Sequence, residues 1–551
     1  MYPVGIPCVV NAFLSSSSSV QFAIAIVVAA VLLILALCSS PFATKPKDGE
    51  PAHLPDHSLF AIVPFFRNRF DFLSWGFRVT GESLFQFRLL QHQVIAVSGE
   101  AGRKAFFTAK SLDLNEGFKV LSGAIPMLRG VTSDLEMRRI AQIYKRVSIV
   151  QREDRLTQLL PEIIEDCRRI MGSWGSSGRF DPFERVYDLV FQTTVRSLTC
   201  VEIADDAAVV ARLKHLYGRL DSGTTPATVL LPWFPSPAMV KKVWATKQIY
   251  DILMGAINAR IQSGVPRNDT LQILLDYGDD KLIIVGFFIG LIVAGARATG
   301  ASASWLVTFL GGDPEWRRRA RSEIESLLSV YSPVTPLRTS YASQDQSPSP
   351  APSIPQSPES SHRPPSPPSL SSRLADIPLS AWEGSTPVLD AVIRETLRLA
   401  QPHTAMRRNV GPDLVIDGKT VPSGAYVVYP FSDVHLDADI YPDPWRFDPG
   451  RPADAKRAHA WVGWGGGKTV CLGQRLAKLE MKIIAAMFLV GFDYAVVDKA
   501  GKPADPLPKP NWNDALMCRP EAGSCYVKYE RAASSTSSSS SSSPSSPSSP
   551  L

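Results

Sequence analysis

Paired cysteines are the first thing this 551-residue chain lacks. Cys8 and Cys38 lie in or before an apolar N-terminal stretch, and Cys167, Cys200, Cys471, Cys518 and Cys525 follow without regular spacing. That pattern excludes a disulfide-built secreted scaffold and fits a reducing compartment. No other Cys or His stands at short spacing from Cys471, so a structural zinc site has no second ligand there. A large charge excess is missing too: a net +6 is mild for this size and gives no reason to expect nucleic acid. No internal repeat is evident. With 45% hydrophobic and 20% charged residues the chain can bury a large core.

Charge is wholly absent from residues 1–19, and Val20–Cys38 add 19 consecutive uncharged, mostly apolar positions. That length approaches the ~20 residues that span a bilayer, and exceeds the ~7–15 of a signal peptide. Lys45 and Lys47 follow it, which puts residues 1–19 in the lumen, 20–38 across the membrane and the body in the cytosol. Pro41, Pro46, Pro51 and Pro55 make 39–58 a stiff linker before a main body at 59–533. Leu59–Phe66 is too short to span; it either dips into the interface or begins the core. Proline and serine dominate 332–372 and the tail 534–551, and both read as disordered. Strand-like stretches occur over Leu84–Val97 and around Val415, Val421 and Tyr426–Tyr429. Helical patterns cover Leu135–Met171 and Phe183–Leu220, and uncharged Leu282–Ala296 reads as a buried core helix. The fold class is therefore mainly α with a minor β part.

Cys471 stands in the run Trp464-Gly465-Gly466-Gly467-Lys468-Thr469-Val470-Cys471-Leu472-Gly473, ahead of a helical pattern over Gln474–Leu489. Glycines allow a tight loop to bring backbone amides onto one sulfur, and the helix start adds positive dipole. A thiolate that ligates iron needs such donors. Glu395 and Arg398 lie three apart, on one face of a helix opened by Thr386 as N-cap and Pro387. Pro444-Trp445-Arg446-Phe447-Asp448-Pro449-Gly450-Arg451 follows, about twenty residues before the cysteine.

These three motifs, in this order, resemble the signature of the cytochrome P450 family, and the resemblance covers roughly residues 60–530. It implies the P450 fold, preceded here by one transmembrane helix, and haem b held by the Cys471 thiolate. It implies a buried structural triad of Glu395, Arg398 and Arg451, with Arg446 a weaker candidate for the third place. Trp464, Gly467, Lys468 and Gly473 are cofactor-binding candidates around the loop. Arg407 is the candidate for a haem propionate, with Arg408 the alternative register. The basic residue usual two places before the cysteine is Thr469 here, so either Thr469 or Lys468 takes its part. The family's early tryptophan–arginine contact has no match near Arg138, Arg139, Lys145 or Arg146.

The distal helix departs from the pattern. In Ala294-Gly295-Ala296-Arg297-Ala298-Thr299 the usual acid is Arg297 and the usual first threonine is Ala298. Thr299 is the catalytic candidate, although it sits ~100° further round the helix. A substrate hydroxyl or water is the second route for protons, and rearrangement of a ready-made peroxide is the third explanation. Arg297 meets either a substrate carboxylate or, preferably, a structural ion pair. The resemblance implies a fungal-like, microsomal monooxygenase of secondary metabolism in the endoplasmic reticulum membrane. It would hydroxylate or epoxidise an apolar small molecule with electrons from NADPH through NADPH-cytochrome P450 reductase. Lys456, Arg457, Lys468, Arg475, Lys478 and Lys482 form either its docking face or a merely solvated one. The alternatives are a peroxide isomerase or dehydratase, and a haem-binding protein without turnover.

Overall fold

One helix of 32 residues, Lys281–Gly312, organises the molecule. The computed structural model describes residues 48–54, 58–121, 137–333, 368–452 and 457–532. The long helix starts where the Asp280 carboxylate accepts the Leu282 N–H, and runs sixteen residues past the segment predicted from sequence. By length and composition it could cross a bilayer. Instead every residue from Thr299 to Gly311 is buried in protein, as expected of a helix apolar all round. It lies along helix Pro182–Leu198: Ser304 donates to the Pro182 carbonyl at 3.0 Å, and a Cβ on Gly300 would fall 2.3 Å from the Tyr187 ring.

The β part is a six-stranded sheet in the order 52–53, 84–89, 92–97, 426–430, 404–409, 112–113. Smaller sheets join 492–497, 526–531 and 177–180, 414–416 with 419–421, and 465–466 with 469–470.

Several boundaries need correction. Ala52–His53 pairs in parallel with Phe85 and Gln86, so the supposed 39–58 linker already contributes an edge strand. Helix Ser58–Arg67 begins the core, with Phe65 fully buried among Phe72 and Phe87. The transmembrane segment at 20–38 and the tail from 534 lie outside the described residues. The insertion is shorter than 332–372. Ser332 is buried and donates to Asp376 at 2.7 Å, and Leu370–Ala375 is helical, so ordered backbone closes in from both ends.

Candidate functional site

Residues 465–470 form a small antiparallel hairpin just ahead of Cys471. Its glycines have separate reasons. Gly465 and Gly467 hold φ of +81° and +57°, a region costly for side-chain-bearing residues. A Cβ on Gly467 would fall 2.1 Å from the Phe107 carbonyl oxygen, and one on Gly466 3.2 Å from the Phe107 ring. The hairpin is thus pressed onto the end of helix Gly99–Thr108. The Cys471 N–H donates to the Trp464 carbonyl at 2.7 Å, which closes the loop. Trp464 itself is half-buried against the main core.

Cys471 lines a cavity of 420 Å³ together with Trp382, Leu472 and Leu479. Protein still surrounds the sulfur closely enough that burial pushes its thiol up, while a hydrogen bond from the Gly473 amide pulls it down. Gly473 acts through that backbone donor; a Cβ there would meet open space. Among the described residues no group of three or more His, Cys, Asp or Glu side chains could hold a metal ion. A lone thiol beside a backbone donor suits an iron that brings its own in-plane ligands, as haem does.

The motif residues Glu395, Arg398 and Arg451 come together. Arg398 donates to both Glu395 oxygens, at 2.8 and 2.7 Å, and Arg451 Nε reaches Glu395 Oε1 at 3.1 Å. The remaining guanidinium hydrogens are used on backbone: Arg398 on the carbonyls of His435, Pro444 and Arg446, Arg451 on those of Pro442, Asp443 and Arg446. Arg446 therefore takes part by its carbonyl, and the side-chain place belongs to Arg451. The His435 ring continues the chain of contacts by accepting the Val462 N–H at 3.1 Å, immediately before the glycine hairpin. Thr386 does not cap this helix with its side chain; its hydroxyl donates to Trp382. The carboxylate of Glu323, 65 residues upstream, takes the N–H groups of Val388 and Leu389 instead.

Arg407 is 3% exposed and, among the described residues, forms no ion pair. Its guanidinium lies over the Phe106 ring at 4.8 Å and donates to the Met406 carbonyl and, at 2.6 Å, to the Thr469 hydroxyl. Burial pushes it down to about 10. A buried cation whose hydrogen-bond partners are all neutral, with only the more distant Asp113 charge to offset it, is costly, and a haem propionate is an anion that would relieve it. Arg408 turns outward to Glu116 at 3.7 Å, which removes the alternative register. Thr469 passes its own hydrogen to the Gly466 carbonyl at 3.1 Å, so its part is to hold Arg407. Lys468 is exposed at the hairpin tip.

On the long helix Ala294 and Ala298, one turn apart, are both exposed, whereas Ala296 and Thr299 are buried. Gly295 faces Thr194 and Leu198 of the neighbouring helix. Arg297 forms an ion pair with Asp221, at the end of helix Ala207–Ser222. Arg146 is likewise committed, to Asp279 at 2.7 Å.

The basic cluster near Cys471 is partly offset by carboxylates. Arg475 pairs with Glu383, while Lys478 and Lys482 share Asp390. Lys482 is 2% exposed and belongs to no surface; Lys456 lies outside the described residues. Sequence reasoning also missed Gln151. Its side chain donates to the Leu472 carbonyl at 2.7 Å and accepts the Leu476 N–H at 3.2 Å, bridging the cysteine loop and the following helix Gln474–Gly491. Nothing in its local sequence signals that role.

A family model described as Cytochrome P450 matches residues 384–524, which include the triad, the hairpin and Cys471. Cytochrome P450 monooxygenase AacuE of Aspergillus aculeatus is 29% identical over 76% of this chain and 81% of its own length. Cytochrome P450 monooxygenase nsrP of Aspergillus novofumigatus is 29% identical over 86% of this chain and 89% of its own. Among solved structures, retinoic acid-bound cyanobacterial CYP120A1 shares the fold with a TM-score of 0.63 at 20% identity, covering 88% of this chain and all of that one.

Proposed function

The chain belongs to the cytochrome P450 family of monooxygenases, and on that basis we propose that it inserts oxygen into an apolar small molecule with reductase-delivered electrons. The observation that carries this reading is the lone Cys471, held by a glycine hairpin that the Glu395 network braces. Cys471 would hold the haem iron, and Arg407 a propionate. Bound haem supplies the oxygen-activating chemistry. The chain's own residues do the rest. The Gly473 amide takes up negative charge on sulfur, and an amide donor of this kind tunes a thiolate ligand. Glu395, Arg398 and Arg451 keep the loop from shifting. Ala294 and Ala298 leave room on the distal side. Thr299 is the alcohol nearest that space along the helix. From its buried position it delivers protons only with the help of an ordered water or a substrate hydroxyl.

We assign NADPH, through NADPH-cytochrome P450 reductase, as the electron source and the endoplasmic reticulum membrane as the site, with Val20–Cys38 as a single anchor and a cytosolic body. A place in secondary metabolism is part of the same proposal. Ala298, where an alcohol is usual, favours one second reading: rearrangement or dehydration of a peroxide that needs no reductase. Reconstitution with reductase decides between them. Consumption of dioxygen and NADPH with oxygenated product supports the monooxygenase; hydroperoxide turnover without reductant supports the second. Cys471→His should abolish the strongly red-shifted carbon monoxide band of a thiolate haem protein, and an unchanged band would remove the basis of both.

A further inference from the structure

The resemblance puts an acid at position 297, yet the chain has an arginine there, and the structure shows where its charge goes. Arg297 and Asp221 form an ion pair in which each side chain is 20% exposed. The pair lies one residue round the helix from Ala298, which is exposed together with Ala294 one turn earlier, the face that the monooxygenase reading assigns to the distal side. An acid has therefore not disappeared from this region; it has moved from the long helix to the last turn of helix Ala207–Ser222.

The other polar groups near Arg297 are occupied or inert. Asp514 accepts the backbone N–H groups of Leu516, Met517 and Arg519, so both its oxygens are engaged in a loop. The Tyr187 ring lies against Gly300, and burial pushes its hydroxyl up, so it keeps its proton. Asp188 pairs with Lys214. Asp221 alone combines a carboxylate, partial contact with solvent and a direct tie to the helix residue beside Ala298.

We propose that Asp221, oriented by Arg297, is the acid of the distal proton path, a charge-inverted arrangement in which the long helix carries the cation and its neighbour the carboxylate. The proposal rests on the monooxygenase reading. Each turnover takes two electrons from NADPH and two protons, puts one atom of dioxygen into product and releases the other as water. Asp221 passes a proton inward through water and regains one from solvent on its exposed side, so it ends unchanged. Arg297 is a positioning residue: it holds the carboxylate and is itself too basic to give up a proton.

The test uses the full chain, loaded with haem and reconstituted with reductase. Asp221→Asn, at equal haem content, should raise the share of NADPH electrons lost as hydrogen peroxide on the order of tenfold and enlarge the solvent deuterium isotope effect on product formation. Asp221→Glu, which keeps the carboxylate but moves it by one methylene, should shift leakage and isotope effect in the same direction as Asp221→Asn, measurably but by less. Thermal midpoints of Asp221→Asn, Arg297→Gln and the double variant should be non-additive, which reports the ion pair independently of turnover. Asp221→Asn that melts lower but leaks no more peroxide, with an unchanged isotope effect, would show a purely structural pair and overturn the proposal. Should Asp221→Asn fail to fold, Asp221→Glu decides, because moving the carboxylate by one methylene must then alter leakage and isotope effect measurably. A wild type that uses no NADPH with reductase overturns the monooxygenase reading and this one together; normal wild-type turnover with an indifferent Asp221 overturns this one alone.

Discussion

Replacing Glu480 with glutamine should stabilise the protein at alkaline pH and do little under acid conditions. Glu480 is 2% exposed in the helix that follows Cys471, faces the hydroxyls of Thr193 and Ser197, and leaves Oε1 without a hydrogen-bond partner. Burial disfavours its charge and pushes the carboxyl from an ordinary 4.5 up to about 8. Below the lower value both folded and unfolded chains hold the proton, and the group has no effect on the balance. Between the two values the unfolded chain ionises while the folded one does not, and each pH unit costs about 1.4 kcal/mol. The whole interval amounts to roughly 5 kcal/mol, fully lost above about pH 8. Glutamine fills the same volume and cannot ionise. Urea unfolding of solubilised wild type and Glu480→Gln, followed by tryptophan fluorescence from about pH 5 to about pH 8.5, isolates the term because other groups cancel in the difference. The variant should gain on wild type steadily as pH rises, by a few kcal/mol in all. Parallel profiles would mean that Glu480 is already charged in the folded protein, and the burial argument would fail.

Glu395→Ala leaves the buried Arg398 and the half-buried Arg451 without their carboxylate, a loss of about 3–5 kcal/mol, and should give protein that does not retain haem; normal haem content with slower turnover would contradict its bracing role. Gly467→Ala places a methyl 2.1 Å from the Phe107 carbonyl oxygen at a φ of +57°, and should likewise lower haem retention. Haem content equal to wild type would show that the hairpin can move away from Phe107. A short glycine–serine linker in place of 334–367 should leave haem content and substrate-induced spectral shifts intact, because the Ser332–Asp376 bond already joins the two ends. Removing all of 332–372 should fail, since it takes Ser332, Leu370 and buried Ser371 with it.

What could be read from sequence follows from how far apart interacting residues stand along the chain. Glu395 and Arg398 meet one helical turn apart, and the cysteine loop carries its glycines and ligand within ten residues, so short windows held both. Asp221, Gln151 and Glu323 act on partners 65 or more residues away, and their neighbours carry no periodic or compositional mark of it. Local pattern also fails where tertiary packing redirects a side chain. Thr386 has the residue type and place of an N-cap, yet its hydroxyl turns back to Trp382. Lys482 reads as one more surface lysine, yet its ammonium is buried between Asp390 and the Trp382 carbonyl. The proline- and serine-rich composition of the insertion overran its edges, because serine also caps helices, as Ser369 does; its interior, 334–367, lies outside the described residues.

The sharing of Asp390 by Lys478 and Lys482, together with the Arg475–Glu383 pair, has a consequence for encounter kinetics. A face on which Glu383 balances Arg475 and one carboxylate offsets two lysines projects a weaker field than its basic residues alone would, and that field decays over the Debye length of about 8 Å at physiological ionic strength. An approaching acidic protein would then be captured more by short-range fit than by steering from a distance. Its association rate should fall only gently as salt is raised, in contrast to the steep decline of electrostatically guided pairs. Neutralising Glu383 and Asp390 would unmask the cations and turn a salt-tolerant encounter into a salt-sensitive one.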